Sequence, residues 1–279
     1  MADRKQLGPD VVGLELAPTQ FSYEERDVML YALGIGAKEL EFIFERGLKT
    51  IPTFAVIPAF PALMGLSAAV EINPVMILHG EQGFRINKQI PTSGTLTTSG
   101  KVTGVYDKGK GALVTIESTT KDAGGETVFT NTSGIFIRGS GGFGGERGPE
   151  AGNAAPERGP DRTVEMQTLD IQAAIYRLSG DRNPLHIDPA FAKMAGYDRP
   201  ILHGLCSFGH VGRAVLAEYC GNDPARLASM AVRFSGVVYP GDTIITDMWD
   251  EGKGKIIVQA QTQEGRVVIS NATVEVKSA

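Results

Sequence analysis

The sequence predicts an α+β protein of two similar halves, each a helix covered by antiparallel strands. Three observations carry this. Strand-like segments follow clustered helices in both halves, the order of an α+β chain. A Gly/Pro-rich stretch, 139–161, separates two runs that resemble each other. One helix, LHGLCSFGHVGRAVLAEYC at 202–220, is apolar nearly all round and therefore belongs in a core. Antiparallel strands that cover such a helix must curl around it.

In the first half, residues 1–138, Ser22 and Glu25 have the spacing of a capping box. They open a helix with Val28, Tyr31 and Ala32 at helical spacing, which runs into YALGIGA (31–37). The segment PAFPALMGLSAAV carries Pro58 and Pro61 and predicts a shorter, broken central helix. A short central helix leaves an unfilled apolar tunnel. PVMILHG, GTLTTSGKVTGVYD, ALVTIES and ETVFTNTSGIFIR read as strands, with a hairpin turn at 107–111.

The stretch 139–161, GSGGFGGERGPEAGNAAPERGPD, has almost no apolar residues and reads as a linker. As a flexible chain it spans roughly 25 Å. In the second half, 162–279, Thr168 is the expected cap of a helix with Ile171, Ala174, Ile175 and Leu178 on one stripe. That helix runs into YRLSGDRNP (176–184), so both halves pass from helix through Tyr-x-Leu to a glycine-containing loop. SMAVRFSGVV, DTIITDMW, KIIVQAQTQ and RVVISNATVEV supply its strands. In KIIVQAQTQ, Ile256, Val258 and Ala260 face one way and Gln259 and Gln261 the other, with a turn at Glu264-Gly265 beyond.

Composition narrows the function. Hydrophobic residues make up 42% and charged residues 21%, as in ordinary globular proteins. A net charge of −5 argues against a nucleic-acid partner. No apolar run approaches the ~18 residues of a membrane span. The opening MADRKQLGPD lacks the apolar core of a signal peptide, and the closing VEVKSA does not match the S-K-L address. The expectation is a cytoplasmic setting with Cys206 and Cys220 reduced and buried.

The chemistry concentrates in SGDRNPLHIDPAFAKMAG, 179–196. Asp188 before Pro189 is a helix N-cap with proline at the first helical position. Asp181 and Asn183 have a structural alternative as turn residues. His186 shifts the balance. Pro184 stiffens the loop, and a carboxylate and an imidazole five positions apart can converge on one small molecule. Adding or removing water requires such a pair. Attack on the β-carbon of an unsaturated thioester also puts charge on the carbonyl oxygen. Gly204, opening the buried helix after PILH, offers a free backbone N–H at the positive end of the dipole. Its alternative is close helix packing. Asp181, His186, Asp188 and His203 are possible ligand types, but no HxxH or HExxH spacing appears, so no metal is expected. A Cys206 nucleophile is disfavoured on so apolar a helix.

Tyr176-Arg-Leu-Ser-Gly-Asp-Arg-Asn-Pro-Leu-His186 resembles the signature of hydratase 2, the (R)-specific enoyl-CoA hydratases of the MaoC-like hot-dog group. LHGLCSFG (202–209), VRFSGVVYPGDT (232–243), YALGIGA and ILHGEQ (77–82) are similar to that family too, so the resemblance covers nearly the whole chain. It is nearest to the two-domain hydratase of multifunctional peroxisomal β-oxidation proteins. It implies a double hot-dog fold, with catalysts in the second half and an acyl tunnel in the first. It implies that Asp181 and His186 activate water, that Asn183 shapes the loop, and that Gly204 donates to the thioester oxygen. It places His79 and Gly80 against the acyl-CoA, Lys108 near the CoA phosphates and Phe234 against the ligand. Pro184, Leu185 and Arg182, the last at a position the motif leaves free, complete the substrate-binding candidates. The implied activity is reversible hydration of trans-2-enoyl-CoA to (R)-3-hydroxyacyl-CoA in fatty-acid β-oxidation or related metabolism. No cofactor is needed beyond the CoA of the substrate, and a homodimer is expected. The alternatives are hydration of sterol side-chain or acyl-carrier-protein conjugates, and a non-catalytic acyl-CoA-binding hot-dog protein.

Overall fold

A computed structural model describes residues 4–150 and 152–278. The first half contains β1 (Lys5–Gln6), β2 (Glu15–Tyr23), α1 (Glu25–Gly34), α2 (Leu40–Ile43), α3 (Val56–Ala69) and β3 (Val70–Glu71). The strands β4 (Ile77–Ile86), β5 (Gly94–Asp107), β6 (Gly111–Lys121) and β7 (Thr127–Arg138) follow. The second half runs β8 (Arg162–Gln167), α4 (Gln172–Tyr176), α5 (Pro189–Met194), α6 (Gly204–Cys220), β9 (Leu227–Phe234), β10 (Thr243–Asp250), β11 (Lys255–Thr262) and β12 (Val267–Val276).

The ten longer strands form one antiparallel sheet, ordered β2-β5-β6-β7-β4-β9-β12-β11-β10-β8. Counted inward from each edge the two halves match strand for strand: β2 with β8, β5 with β10, β6 with β11, β7 with β12, β4 with β9. The expected pair of sheets is thus fused. The seam is the β4–β9 ladder, which pairs Glu81 with Arg233 and Phe84 with Met230. This is the double hot-dog architecture.

Helix α6 is the axis of the second half, and every residue from Leu205 to Leu216 is buried. Two of its glycines are steric necessities. A Cβ on Gly209 would fall 2.3 Å from Ile35 Cγ2, and one on Gly212 2.4 Å from Thr53 Cγ2. Ile35 and Thr53 belong to the first half, so α6 is packed by both. Arg213 adds a buried tie. Its Nη2 donates to Glu39 Oε1 at 2.9 Å, and its Nη1 donates to the Ile35 carbonyl at 3.1 Å.

The core divides into a large cluster around α1 and α6 and a smaller one, including Leu66, Val102, Ile116 and Ile137, under β5–β7. Helix α3 lies between them. It is three residues shorter than α6 (14 against 17) but runs continuously through Pro61. The expected break is absent: the 3-10 turn Pro52–Ala55 leads straight into a helix that continues past Pro61. The stretch Pro52–Ala69 is long and apolar enough by composition to cross a membrane, which corrects the expectation that no such run exists. Its window is 56% buried inside the protein, as a core helix is.

Two expected caps are replaced. Ser22 is still in β2, where its hydroxyl pairs with Thr95 Oγ1 at 2.8 Å. Glu24 and Asp27 build the capping box of α1 instead. Thr168 donates to the Asp242 carbonyl at 2.8 Å and accepts from Gly241 N, and α4 starts later with no side-chain cap. The expected stripe on α4 is also turned. Ile171 and Leu178 are more than half exposed, whereas Gln172, Ala173 and Tyr176 are buried. The polar Gln172 goes inside because its Nε2 donates to the carbonyls of Leu33 (3.0 Å) and Gly34 (2.6 Å) in the last turn of α1.

The Gly/Pro-rich connection is held in place by one carboxylate. Asp107 accepts from the amides of Gly109, Gly142 and Gly144 at 2.7–2.9 Å, and these bonds hold its carboxyl below the usual range. Phe143 then packs against the smaller core cluster, so polar anchoring substitutes for the apolar burial that the segment lacks.

Candidate active site

The turn after α4 is built by its own side chains. Asp181 Oδ1 accepts from Asn183 N at 3.1 Å, and Asn183 Oδ1 accepts from Leu185 N at 3.0 Å. Asn183 thereby caps the short 3-10 turn Pro184–His186, whose first residue is a proline that fixes φ. This geometry turns the His186 ring inward, to 8% exposure, while Asp181 is half-buried. His186 Nδ1 donates to the Ile201 carbonyl at 2.8 Å. That bond puts the proton on Nδ1 and leaves the lone pair at Nε2. Burial pushes the His186 pKa down and the Asp181 charge partly opposes it, so the neutral ring is the resting form.

A third residue completes the group. His203 is 1% exposed and its ring stacks on that of His186 at 3.7 Å between centroids, with 29° between planes. Its Nε2 donates to the Asp181 carbonyl at 3.1 Å. Burial drives its pKa down to about 2. One ligand atom each from Asp181, His186 and His203 lies within 4.8 Å of the others. These three are donor types that a metal ion could use. The same spacing suits a water molecule between a carboxylate and an imidazole. Asp188 takes no part, because it caps α5 through Ala190 N at 2.8 Å. Cys206 donates to the Gly34 carbonyl, and burial pushes its thiol well up, away from nucleophilic use.

His203 is also the N-cap of α6, so the next residue, Gly204, opens the helix with its N–H unclaimed by any helical carbonyl. A Cβ at Gly204 would touch the Phe234 ring at 3.4 Å, so these two residues are neighbours. Phe234 in turn meets His79 edge-on at 5.4 Å. Beyond His79 and Leu205 a narrow pocket, partly open to solvent, lies between α3 and the sheet of the first half. Val56, Ala59, Phe60, Leu63 and Ile116 supply its apolar lining, and Gln82, Ser118 and Ser133 its polar lining.

A β-bulge makes this lining possible. The β4–β7 register passes from His79↔Ile135 to Glu81↔Gly134, leaving Gly80 as the extra residue. Side chains three apart normally face opposite sides of a strand. The bulge brings His79 and Gln82 to the same side, where His79 Nε2 donates to Gln82 Oε1 at 3.1 Å. Burial lowers the His79 pKa to about 4, so this ring is neutral as well.

The structure therefore joins Asp181, Asn183, His186 and Gly204 to Phe234, His79 and Gly80 in one continuous site. Pro184 and Leu185 shape its loop. Arg182 is exposed on the outer side of that loop. Lys108 stands apart on the β5–β6 turn, where its amine donates to the Arg147 carbonyl of the connecting segment. His203 appears in the sequence only as one possible metal ligand. Its packing role has no sequence signal beyond a histidine next to a helix-opening glycine. Gln82 and Ser118 carry no sequence signal of their own; the glycine within ILHGEQ is the sign of a bulge that re-aims the strand.

Comparison with known proteins decides the family. The model of the MFE-2 hydratase 2 N-terminal domain matches residues 21–139, and that of the MaoC like domain matches 151–273. A probable enoyl-CoA hydratase 2 of Dictyostelium discoideum is 42% identical over 94% of this chain and 93% of its own. The chain belongs to the MaoC-like hydratase 2 family. A peroxisomal hydratase-dehydrogenase-epimerase of Neurospora crassa is 47% identical, and the chain spans 30% of that longer relative. A MaoC-like dehydratase from Phytophthora capsici superposes with a TM-score of 0.90 at 39% identity, covering 98% of both chains. Within the hydratase 2 frame, the loop with Asp181 and His186 lies in the MaoC like half and the cavity in the N-terminal half.

Proposed function

We propose that this chain reversibly hydrates trans-2-enoyl-CoA to (R)-3-hydroxyacyl-CoA, in fatty-acid β-oxidation or related acyl-CoA metabolism. One observation carries the reading. A carboxylate and a neutral imidazole share a 4.8 Å space beside a helix-opening amide at the mouth of an apolar cavity.

In the forward direction, water sits between Asp181 and His186 Nε2. Its oxygen bonds to C3 of the enoyl thioester as these groups take one proton. The electron pair of the C2–C3 double bond moves onto the thioester oxygen, where the Gly204 N–H stabilises the enolate. The proton returns to C2 and the carbonyl re-forms. No electron is gained or lost, so the balance requires only water, and the CoA arrives with the substrate. A neutral His186 is the form that can accept the proton, which matches the direction of its pKa shift.

The reading extends to assembly and setting. We infer a homodimer, supported by apolar surface at Leu169, Ile171, Leu178 and Met194, each about half exposed or more. For the setting we propose the cytoplasm, with the peroxisome as the alternative because several relatives bear peroxisomal names. Sedimentation and imaging of the tagged chain test these two points. The activity itself is tested by loss of the enoyl thioester absorbance, with chiral analysis of the product and parallel trials of sterol-bearing and carrier-protein thioesters. Formation of the (S) alcohol, or tight acyl-CoA binding without turnover, would refute it. Dialysis against a chelator should leave the rate unchanged.

A further inference from the structure

The β4–β9 seam ends in a fork. Its last pair on the side of the site is Glu81 with Arg233. Beyond that pair the two strands part. Residues 77–79 of β4 continue along β7, and Phe234 of β9 pairs with Ile269 of β12. His79 stands on one arm and Phe234 on the other, and their rings meet edge-on at 5.4 Å across the gap.

An ion pair closes the fork at its base. Arg233 Nε donates to Glu81 Oε1 at 3.0 Å, and Arg233 Nη2 donates to the same oxygen. Glu81 also packs directly on Gly134 of β7. A Cβ on that glycine would fall 2.9 Å from Glu81 Cβ and 3.1 Å from Glu81 Oε2. The pair lies on the outer face of the sheet, with the Arg233 side chain 39% exposed and that of Glu81 34%. The neighbours Gln82 and Val232 point the other way and are buried. So exposed a pair adds little to stability.

Its place beside the bulge gives it another use. In a regular strand, residues two apart share a face, so His79 would follow Glu81 outward. Gly80, the extra residue, sends His79 inward instead. A slip of one residue turns a strand's side chains over. The bulge therefore aims His79 only while Glu81 stays opposite Arg233 on one side and Gly134 on the other.

We propose that Glu81 and Arg233 are a positioning pair, which fixes the register beside the bulge and so holds His79 and Phe234 at the spacing that receives the acyl-CoA. This role rests on the hydratase reading and adds two residues that act through others.

The test is a double-mutant cycle on the full chain: Glu81→Met, Arg233→Met and the two together. Each change keeps an unbranched stem and removes the polar end. Each single variant should raise KM for a trans-2-enoyl-CoA about tenfold, with kcat and melting temperature near those of the parent, because the displaced groups hold the ligand rather than the water. The double variant should be no worse than either single, the mark of two groups that act as one. An NMR titration of the His79 ring reads its aim without ligand. Burial holds its midpoint at about 4 in the parent. Both single variants should move it toward the ordinary 6.5 as the ring gains water. An unchanged KM and His79 midpoint in either single variant, additive losses in the double, or loss of kcat in step with a lower melting temperature would overturn the role. Calorimetric titration of a saturated acyl-CoA repeats the cycle without turnover. If the variants bind it about tenfold more weakly while the parent hydrates no enoyl-CoA, the positioning pair stands and the proposed activity falls.

Discussion

The rings of His186 and His203 lie face to face at 3.7 Å, and the second ring bonds the backbone carbonyl of Asp181. One residue thus sets the positions of both members of the proposed acid/base pair. His203→Phe keeps a ring in the stack but removes the donor. Net stability should fall by about 1 kcal/mol, the worth of one hydrogen bond. The rate should fall more, about tenfold in kcat with KM little changed, because the loss is one of aim. Steady-state kinetics beside a thermal melt separate the two effects.

Direct removal is harsher. Asp181→Asn or His186→Ala should lower kcat by at least ~10²-fold while circular dichroism and the melting temperature stay near those of the parent. Near-native turnover in either folded variant would remove that residue from the chemistry.

The rate should depend on acid through His186. Burial lowers its pKa from the ordinary 6.5 and the Asp181 charge offsets part of this. The base form therefore persists below pH 6.5, and the acidic limb of kcat/KM should lie below that value. Asp181→Asn withdraws the charge that favours the imidazolium. An NMR titration of the His186 ring in that variant should show a still lower midpoint.

Stability should also be lost on the acid side. The chain has four histidines and each is depressed: His79 and His210 to about 4, His203 to about 2, and His186 below its ordinary value. Burial is the largest cause in every case. Below pH 6.5 the unfolded chain takes up protons that the folded chain refuses. The contribution is complete above the unfolded pKa and is lost as pH falls, at up to about 1.4 kcal/mol per pH unit for each histidine. Melting temperatures between pH 7 and pH 4.5 should fall steeply, and His210→Asn should flatten the curve.

Gly209 tests the packing between halves. Its missing Cβ leaves room for Ile35 Cγ2, which would otherwise be 2.3 Å away. Gly209→Ala should cost about 1–3 kcal/mol by overpacking, despite the better helix propensity of alanine. In an Ile35→Ala background, which removes Cγ2, the same change at Gly209 should cost less in denaturant titrations.

Much of this molecule is readable from residue order. The loop with Asp181, Asn183 and His186, the buried helix from Gly204, and the repetition across 139–161 follow from local chemistry and periodicity. The errors arise where tertiary contacts choose between equal local options. Thr168 caps nothing because Asp242, far along the chain, offers it a carbonyl. The α4 stripe turns because Gln172 bonds the carbonyls at the end of α1, Leu33 and Gly34. The lining of the cavity by His79 and Gln82 depends on a one-residue bulge, which pattern counting over ILHGEQ misses.

The β4–β9 ladder has a final consequence. Two separate copies of one gene product must make identical pockets, because any change in one appears in the other. Copies joined in a single polypeptide escape that rule while still sharing one sheet. Here the C-terminal half carries Asp181 and His186, while YALGIGA stands at the matching place in the N-terminal half, beside whose α3 the pocket lies. Fusion permitted a division of labour that symmetry would have forbidden.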